Sequence, residues 1–293
     1  MAERVAVLAH RKKRMHGAGL DALREALDEA GVQDPLWYEV AKSKKAPKQA
    51  RKALADGAEL VLVWGGDGMV QRSADALAGS GVPVGLLPAG TANLLATNLG
   101  IPHKLAESLQ IALHGRRRAL DLGILDGEHF AVMAGLGFDA ELVGGADRRA
   151  KARFGRLAYV RSGLSGIRGP LVQARVKVDG TVWYEGPASC LLLGNVGRIV
   201  GGVPAFDDAD PSDGLLEVGV TTASGVLQWA RTLGRITLGR SEDSRYVRMT
   251  RGTKVSIRLD RPLPIELDGG ARGEARKAKA AIVPNALTVC VPR

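Results

Sequence analysis

Residues 65–68 read Gly65-Gly66-Asp67-Gly68, between the apolar run ELVLVW at 59–64 and a helical pattern over roughly 69–79. Glycines let a backbone approach a ligand closely, and the N–H groups of a helix start favour an anion. A carboxylate in such a loop repels phosphate unless a cation lies between them. Asp67 therefore suits Mg2+ binding, or acceptance of a proton from an attacking hydroxyl. The same residues also suit a tight turn whose aspartate caps the helix. No GKS or GKT follows, so this is not a Walker loop. A second loop, PAGTANLLATNLGIP at 88–102, favours the phosphate reading. Pro88 and Gly90 predict a turn, Thr91 can cap a helix beginning at Ala92, and Thr91 and Asn93 offer a hydroxyl and an amide to a second anion or a ribose.

The elements around these loops alternate. VAVLA at 5–9, LWYEV at 36–40, ELVLVW and VPVGLL at 82–87 read as strands, with helices over about 20–30, 44–56 and 69–79 and a further one after Thr91. That order implies a parallel sheet covered on both faces, with ligands beyond the carboxyl ends of its strands. The texture changes near residue 119. ALDLGILDGEHFAVM predicts strands around an Asp126-Gly127 turn. In LVQARVKVDGTVWYEG, Val172, Ala174, Val176 and Val178 alternate with polar residues up to Asp179-Gly180, and TKVSIRLD at 253–260 alternates likewise. Period two means one dry and one wet face, hence antiparallel pairing. Helical stretches interrupt around 140–168 and 224–239. The fold expected is an α/β, parallel-sheet nucleotide-binding domain over 1–120 followed by an antiparallel β-sandwich domain over 121–280, with the last strand, within 281–293, free to return to the first.

Composition agrees with two packed domains. The chain has 293 residues, 45% of them hydrophobic, which excludes disorder. Aromatic residues make up 4%, too few for a platform that stacks nucleic-acid bases. Cys190 and Cys290 sit in apolar runs, with no zinc or disulfide pattern, so a reducing cytoplasm is expected. The N-terminal order, apolar then charged, is the reverse of a secretory signal, and no window is long enough to span a membrane. The net charge of +10 concentrates in Arg11–Arg14, Lys42 to Lys52 and Arg148 to Arg156. Such a surface attracts polyanions. No recognition helix accompanies it, so no nucleic-acid partner is expected.

GGDG, PAGTANLLATNLGIP, VMAGLGFDA at 132–140 with GRLAY at 155–159, SDGLLEV at 212–218 and LDG at 267–269, in this order, resemble the diacylglycerol kinase catalytic family, which includes bacterial lipid kinases and sphingosine kinases. The resemblance covers nearly the whole chain. It implies transfer of the γ-phosphoryl group of ATP, with Mg2+, to a lipid hydroxyl, diacylglycerol being the first choice. It implies catalytic roles for Asp67, Asp121 and Asp268. Gly65, Gly66, Gly68, Gly90, Thr91 and Asn93 would contact nucleotide, and Arg11, Lys12, Lys13, Arg148, Lys151 and Arg153 would add charge at the phosphates. Asp67 and Asp268 would join the metal network, Asp213 a structural cation, and Asp139 the polar head of the substrate. The implied partner is a lipid at an anionic membrane surface, approached from the cytoplasmic side. The oligomeric state is open, a homodimer included.

Four positions depart from the family pattern. Met69 replaces a threonine after GGDG, Gly270 an acidic residue after LDG, and Ser212 an aspartate of an Asp-Asp-Gly turn. AHRKKRM at 9–15 stands where relatives have a Gly-rich turn. The departures keep two other readings in view, a nucleotide- or lipid-binding relative with little catalysis and a GGDG kinase of a soluble substrate such as NAD. Membrane contact is expected from VLQWARTLGRITLGR at 226–240, which suits an interfacial helix and equally a helix packed on the sandwich.

Overall fold

The computed structural model describes residues 4–137, 171–199, 203–206, 208–225, 228–229, 232 and 244–293. It divides into two compact units, Met1–Leu122 with Val283–Arg293, and Gly123–Ile282. No helix among the described residues is long and apolar enough to cross a membrane. The expected helix over 140–168 lies outside the described residues, as does most of that over 224–239.

The first unit is an α/β layer structure. Its strands β1 (Val5–His10), β2 (Leu36–Val40), β3 (Leu60–Gly65) and β4 (Val84–Pro88) alternate with helices α1 (Leu20–Glu29), α2 (Ala46–Ala55) and α3 (Asp67–Leu77). The short α4 (Leu94–Asn98) and α5 (Leu105–His114) follow. The strand order is β2-β1-β3-β4, all parallel, and the last residues of the C-terminal strand continue it beside β4, with Val289 opposite Val84. Strands β1 and β3 are buried along their whole length, as continuous apolar runs under two helical layers must be. Leu23 and Leu27 of α1 and Leu109 and Ala112 of α5 pack with Val7, Leu62 and Trp64 on one face. Helices α2 and α3 cover the other, and bury Ala50, Ala53, Ala74 and Leu77.

The sequence pattern misses α5, whose Leu105, Leu109 and Ala112 are spaced for one buried stripe. It also places the start of the helix of the second loop too early, at Ala92. That helix begins at Leu94, after Asn93 in a left-handed conformation (φ 47°), and exposed Thr91 is not its cap. The cap comes from elsewhere, as described below.

The second unit is antiparallel. Strands β5 (Arg116–Leu125), β6 (Glu128–Phe130) and β7 (Met133–Leu136) are followed by β8 (Val172–Val178), β9 (Thr181–Ala188) and β10 (Cys190–Gly194). A two-residue pair, β11 (Arg198–Ile199) with β12 (Val203–Pro204), precedes β13 (Leu216–Thr221), β14 (Val247–Gly252), β15 (Lys254–Leu267) and β16 (Gly270–Val291). The order β14-β13-β10-β7 ends on the C-terminal half of β15, while its N-terminal half pairs with β8, and β8 with β9. One strand thus serves two sheets. Their inner faces close over the small and branched residues Val172, Ala174 and Val176 of β8, with Leu191, Leu193, Leu216 and Ile257. β15 runs well beyond the alternating stretch at 253–260 because Pro262 and Pro264 fall where its register with β16 shifts, so neither removes a needed ladder bond.

Gly85 sits where α5 crosses β4. A Cβ there would come 2.5 Å from Ala112 Cβ and 2.7 Å from Leu62 Cδ2. Gly85→Ala is expected to lower stability by about 1–3 kcal/mol through overpacking, read as a fall in thermal midpoint by circular dichroism.

Candidate functional site

The ends of β1, β3 and β4 lie side by side in the first unit. Pairing of β3 with β4 persists to Gly65 opposite Pro88, and Ala89 N–H donates to the Gly65 carbonyl at 2.8 Å. Beyond that point the two glycine loops meet backbone to backbone. A Cβ on Gly66 would stand 2.9 Å from the Cα of Gly90, so the contact needs glycine on both sides.

Asp67 locks the two loops. Its carboxylate accepts the Asn93 N–H at 2.9 Å and the Leu94 N–H, the first amides of α4. It caps a helix, but not the one it begins, since α3 has Gly66 at its N-cap. Asn93 secures the same loop. Its Oδ1 accepts Gly90 N–H at 2.9 Å, and its Nδ2 donates to the Gly90 and Pro88 carbonyls at 3.1 and 3.4 Å. The Asn93 amide expected to meet nucleotide is thus engaged within the loop. Gly68 is exposed at the first turn of α3, and no atom lies within 4 Å of a Cβ placed on it.

Burial pushes the Asp67 carboxyl above its usual range, partly opposed by the backbone N–H groups of Leu94, Asp67 itself and Asn93 and by the charge of Lys13. Lys13 is the residue of the basic β1 loop whose charge bears on Asp67. Its carbonyl accepts from Trp64 Nε1 at 3.2 Å, and its amide donates to the His10 carbonyl at 3.0 Å. These bonds place it beside β3. His10 is buried at the end of β1, and burial, then Lys13, holds its imidazole below the usual range. Arg11 instead turns to Glu39, at 3.0 Å, and the backbone of Lys12 donates to His10 Nδ1 at 3.3 Å. The signal for Lys13 was its place at a strand end, three residues past His10.

Met69 does not line this loop. It is 1% exposed, and its Cβ and Cγ lie 2.5 and 2.6 Å from the place a Gly65 Cβ would occupy. The thioether fills core space under the loop rather than replacing a contact to phosphate.

The other aspartates stand apart from Asp67 in what they bind. Asp121, buried on β5, accepts the Asn285 N–H at 2.7 Å and so ties the end of the chain to its own unit. In the second unit Asp268 opens the β15–β16 turn (φ 46°), 4% exposed. Its carboxylate accepts N–H groups from Ala131, Val132 and Met133 at 2.8, 2.9 and 2.9 Å. That carboxylate organises the loop into β7. Asp213 forms an exposed turn, with its Oδ1 accepting Leu215 N–H at 2.9 Å. Gly270 follows the Asp268 turn, and a Cβ there would come 2.7 Å from Arg272 Nη1. Glu128 holds that guanidinium through Nε at 2.7 Å and Nη2 at 2.6 Å. A cation therefore sits beside the position where the resemblance leads one to expect a carboxylate. Asp139, Arg148, Lys151 and Arg153 lie outside the described residues. Among the described residues, no group of three or more His, Cys, Asp or Glu side chains is arranged to hold a metal ion.

Two family models divide the chain between them. The diacylglycerol kinase catalytic domain matches residues 5–125, and the YegS C-terminal NAD kinase beta sandwich-like domain matches 132–291. The chain belongs to the YegS-like branch of the diacylglycerol kinase family. It is 32% identical to a protein of Pseudomonas fluorescens named as a YegS-like lipid kinase, over 100% of this chain and 97% of that protein. It is 31% identical to a diacylglycerol kinase of Mycobacterium tuberculosis, over 82% of this chain and 79% of that one. It spans 61% of a longer, uncharacterized Synechocystis relative, with 27% identity over 90% of this chain. A crystal structure of a diacylglycerol kinase from Bacillus anthracis shares the fold at 17% identity, with a TM-score of 0.75 over 99% of this chain and 97% of that one.

The packing of Met69 makes a prediction. Met69→Thr is expected to destabilise this YegS-like chain by about 2 kcal/mol or more, since it removes buried volume and buries a hydroxyl. Urea unfolding would show the lower midpoint, with no gain in phosphoryl transfer.

Proposed function

We propose that this chain is an ATP-dependent lipid kinase that phosphorylates the free hydroxyl of diacylglycerol at the cytoplasmic membrane surface. The observation that carries this reading is the Asp67 carboxylate, fixed by two backbone amides at the carboxyl ends of parallel strands, with Lys13 beside it. The name of the M. tuberculosis relative supports the choice of diacylglycerol.

The residues present fit a nucleotide. The exposed first turn of α3 at Gly68 presents backbone to phosphate, with the helix dipole behind it. The exposed Thr91 hydroxyl is at hand in the second loop, and Lys13 offsets negative charge. They also fit Mg2+, which is commonly held by one or two carboxylates together with phosphate oxygens rather than by an all-protein cage. Asp67 Oδ2 accepts the Asn93 N–H and Oδ1 the Leu94 N–H, and a carboxylate with about four lone-pair sites keeps acceptor capacity beyond these bonds. When bound, Mg·ATP supplies the phosphoryl group and neutralises the charge that spreads over its oxygens.

Asp67 then has one of two tasks, orienting the lipid hydroxyl and taking its proton, or holding the metal. Its raised pKa suits the first, because a stronger base accepts a proton more readily. The β-sandwich unit receives the lipid, with Asp139 assigned to its polar head and Lys151 and Arg153 to phosphate, on the family resemblance.

The test is transfer of label from γ-labelled ATP to diacylglycerol, a sphingoid base and a total lipid extract. Label in diacylglycerol is expected, reduced at least about 100-fold in Asp67→Asn if that residue is the base. Thermal melts would check that the variant remains folded. Label in the sphingoid base alone would reassign the acceptor. Saturable nucleotide binding without transfer would instead mark a binding relative.

The pH dependence follows from the direction of the shift. Asp67 must be ionised to accept a proton, and its pKa is raised above the ordinary 3.8. Activity is expected to fall, as pH is lowered, at a point above that ordinary value. An acid limb at or below it would argue against Asp67 as the base.

A further inference from the structure

The solvent face of the second unit carries an arrangement that neither folding nor catalysis requires. Strands β8, β15 and β16 lie side by side, and their register puts Arg175, Arg258 and Lys277 directly opposite one another. One step along the same face, Lys177, Ser256 and Lys279 form a second row. Like charges opposite one another on a sheet oppose pairing. Among the described residues, the only ion pair made by these cations joins Arg175 to Glu185 at 3.5 Å, and both partners are exposed. Two nearby carboxylates are turned to backbone, with Asp126 accepting Lys279 N–H at 2.9 Å and Asp260 accepting Gln173 N–H at 3.0 Å.

The second row has an apolar end. Val182 of β9 stands opposite Lys177, and it is the exposed large hydrophobic residue among those described, at 38%. On the other side, a groove opens between Lys177, Lys254 and Lys279, with Asp126, partly buried Ile124 and the buried core residues Val255 and Ala280 also in its lining. The face therefore combines cations on long apolar stems with an exposed apolar side chain, Val182. Lysine and arginine stems lie along apolar surface while their heads reach a polar layer. Trp229, from the stretch first considered for membrane contact, is by contrast 5% exposed and packs with Cys190 and Ala223.

We propose that this face, the Arg175–Arg258–Lys277 and Lys177–Ser256–Lys279 rows with Val182, docks on bilayers rich in anionic phospholipid. Charge complementarity selects the partner. The headgroup layer offers a plane of negative charge to a plane of positive charge, with apolar depth for Val182. A nucleic acid would share the charge, but the ring side chains nearest the face, Trp183 and Tyr184, pack on the core and offer no stacking platform. The lipid-kinase reading gives the docking its purpose, but binding is measurable without any turnover.

The test uses the full chain in co-sedimentation with vesicles of phosphatidylcholine alone and of phosphatidylcholine with phosphatidylglycerol. Binding is expected only to the anionic vesicles and is expected to weaken as salt rises. Lys277→Gln with Lys279→Gln should weaken partitioning by about fivefold for each cation removed, about 25-fold together. Arg258→Gln should weaken it too, while raising the thermal midpoint by relieving repulsion within its row. Phosphorylation of a water-soluble, short-chain diacylglycerol should be unchanged in the lysine variant. Equal binding to both vesicle types, or unchanged binding by the variants, would overturn the proposal. So would tight binding of duplex DNA with none to vesicles. Vesicle binding without any lipid phosphorylation would uphold the docking face and defeat the kinase reading alone.

Discussion

A buried carboxylate must find hydrogen-bond donors, and the first unit is arranged around the way Asp67 finds them. Its donors are the first two amides of α4, a helix too short to hold itself. The bond therefore runs both ways. Asp67 gains the partners that let it stay ionised in a half-buried loop, and α4 gains the cap that its own Asn93, left-handed and turned back on Gly90, does not provide. The approach of Gly66 to Gly90 follows, since the carboxylate reaches across only if the loops touch. Hydrogen bonds to a charged acceptor contribute about 1.5–3 kcal/mol each, enough to set a loop conformation.

The same physics recurs at Asp121 and Asp268. Each carboxylate accepts backbone N–H groups, one from the returning C-terminal segment and three from the loop into β7. The aspartates that the family resemblance marks for chemistry are thus also loop organisers. That double role explains why an aspartate-to-alanine loss of activity would be ambiguous, and why an isosteric amide with a folding control is the informative change. It also recasts two departures. Met69 packs beneath its loop instead of facing it, and Gly270 leaves space beside a guanidinium already held by Glu128.

The fold class was legible because the two units bury their sheets differently. Apolar runs such as LVLVW, dry on both faces, and VQARVKV, dry on one, carry opposite periodicities that survive in the burial of β3 and β8. Element ends were less legible. The alternating stretch at 253–260 marks only part of β15, which continues through Pro262 and Pro264 at register shifts that pairing alone reveals. Helix α5 was passed over because its stripe is short and follows a loop already assigned a helix. At the site, GGDG and the second loop were visible as motifs, and Asp67 stood out by its type. The bond between them was not visible, because Asp67 and Leu94 are 27 residues apart and nothing local announces a cap supplied from another loop. Lys13 was visible as part of the basic β1 loop, but its place beside β3 was not, since the hydrogen bond of Trp64 to its carbonyl joins residues 51 apart.

The charge of the chain is informative only once it is placed. A net +10 spread evenly would serve solubility. Read along the sequence, the lysines and arginines of β8, β15 and β16 are the polar half of an alternating pattern, and any polar residue would satisfy it. Read across the sheet, they fall in rows where like charges face each other, which a sheet in water disfavours. Serine and glutamine occupy neighbouring positions on the same face, at Ser256 and Gln173, so neutral residues are accommodated there. The rows are therefore not imposed by the fold, and a planar array of negative charge is the surrounding in which their mutual repulsion turns into attraction.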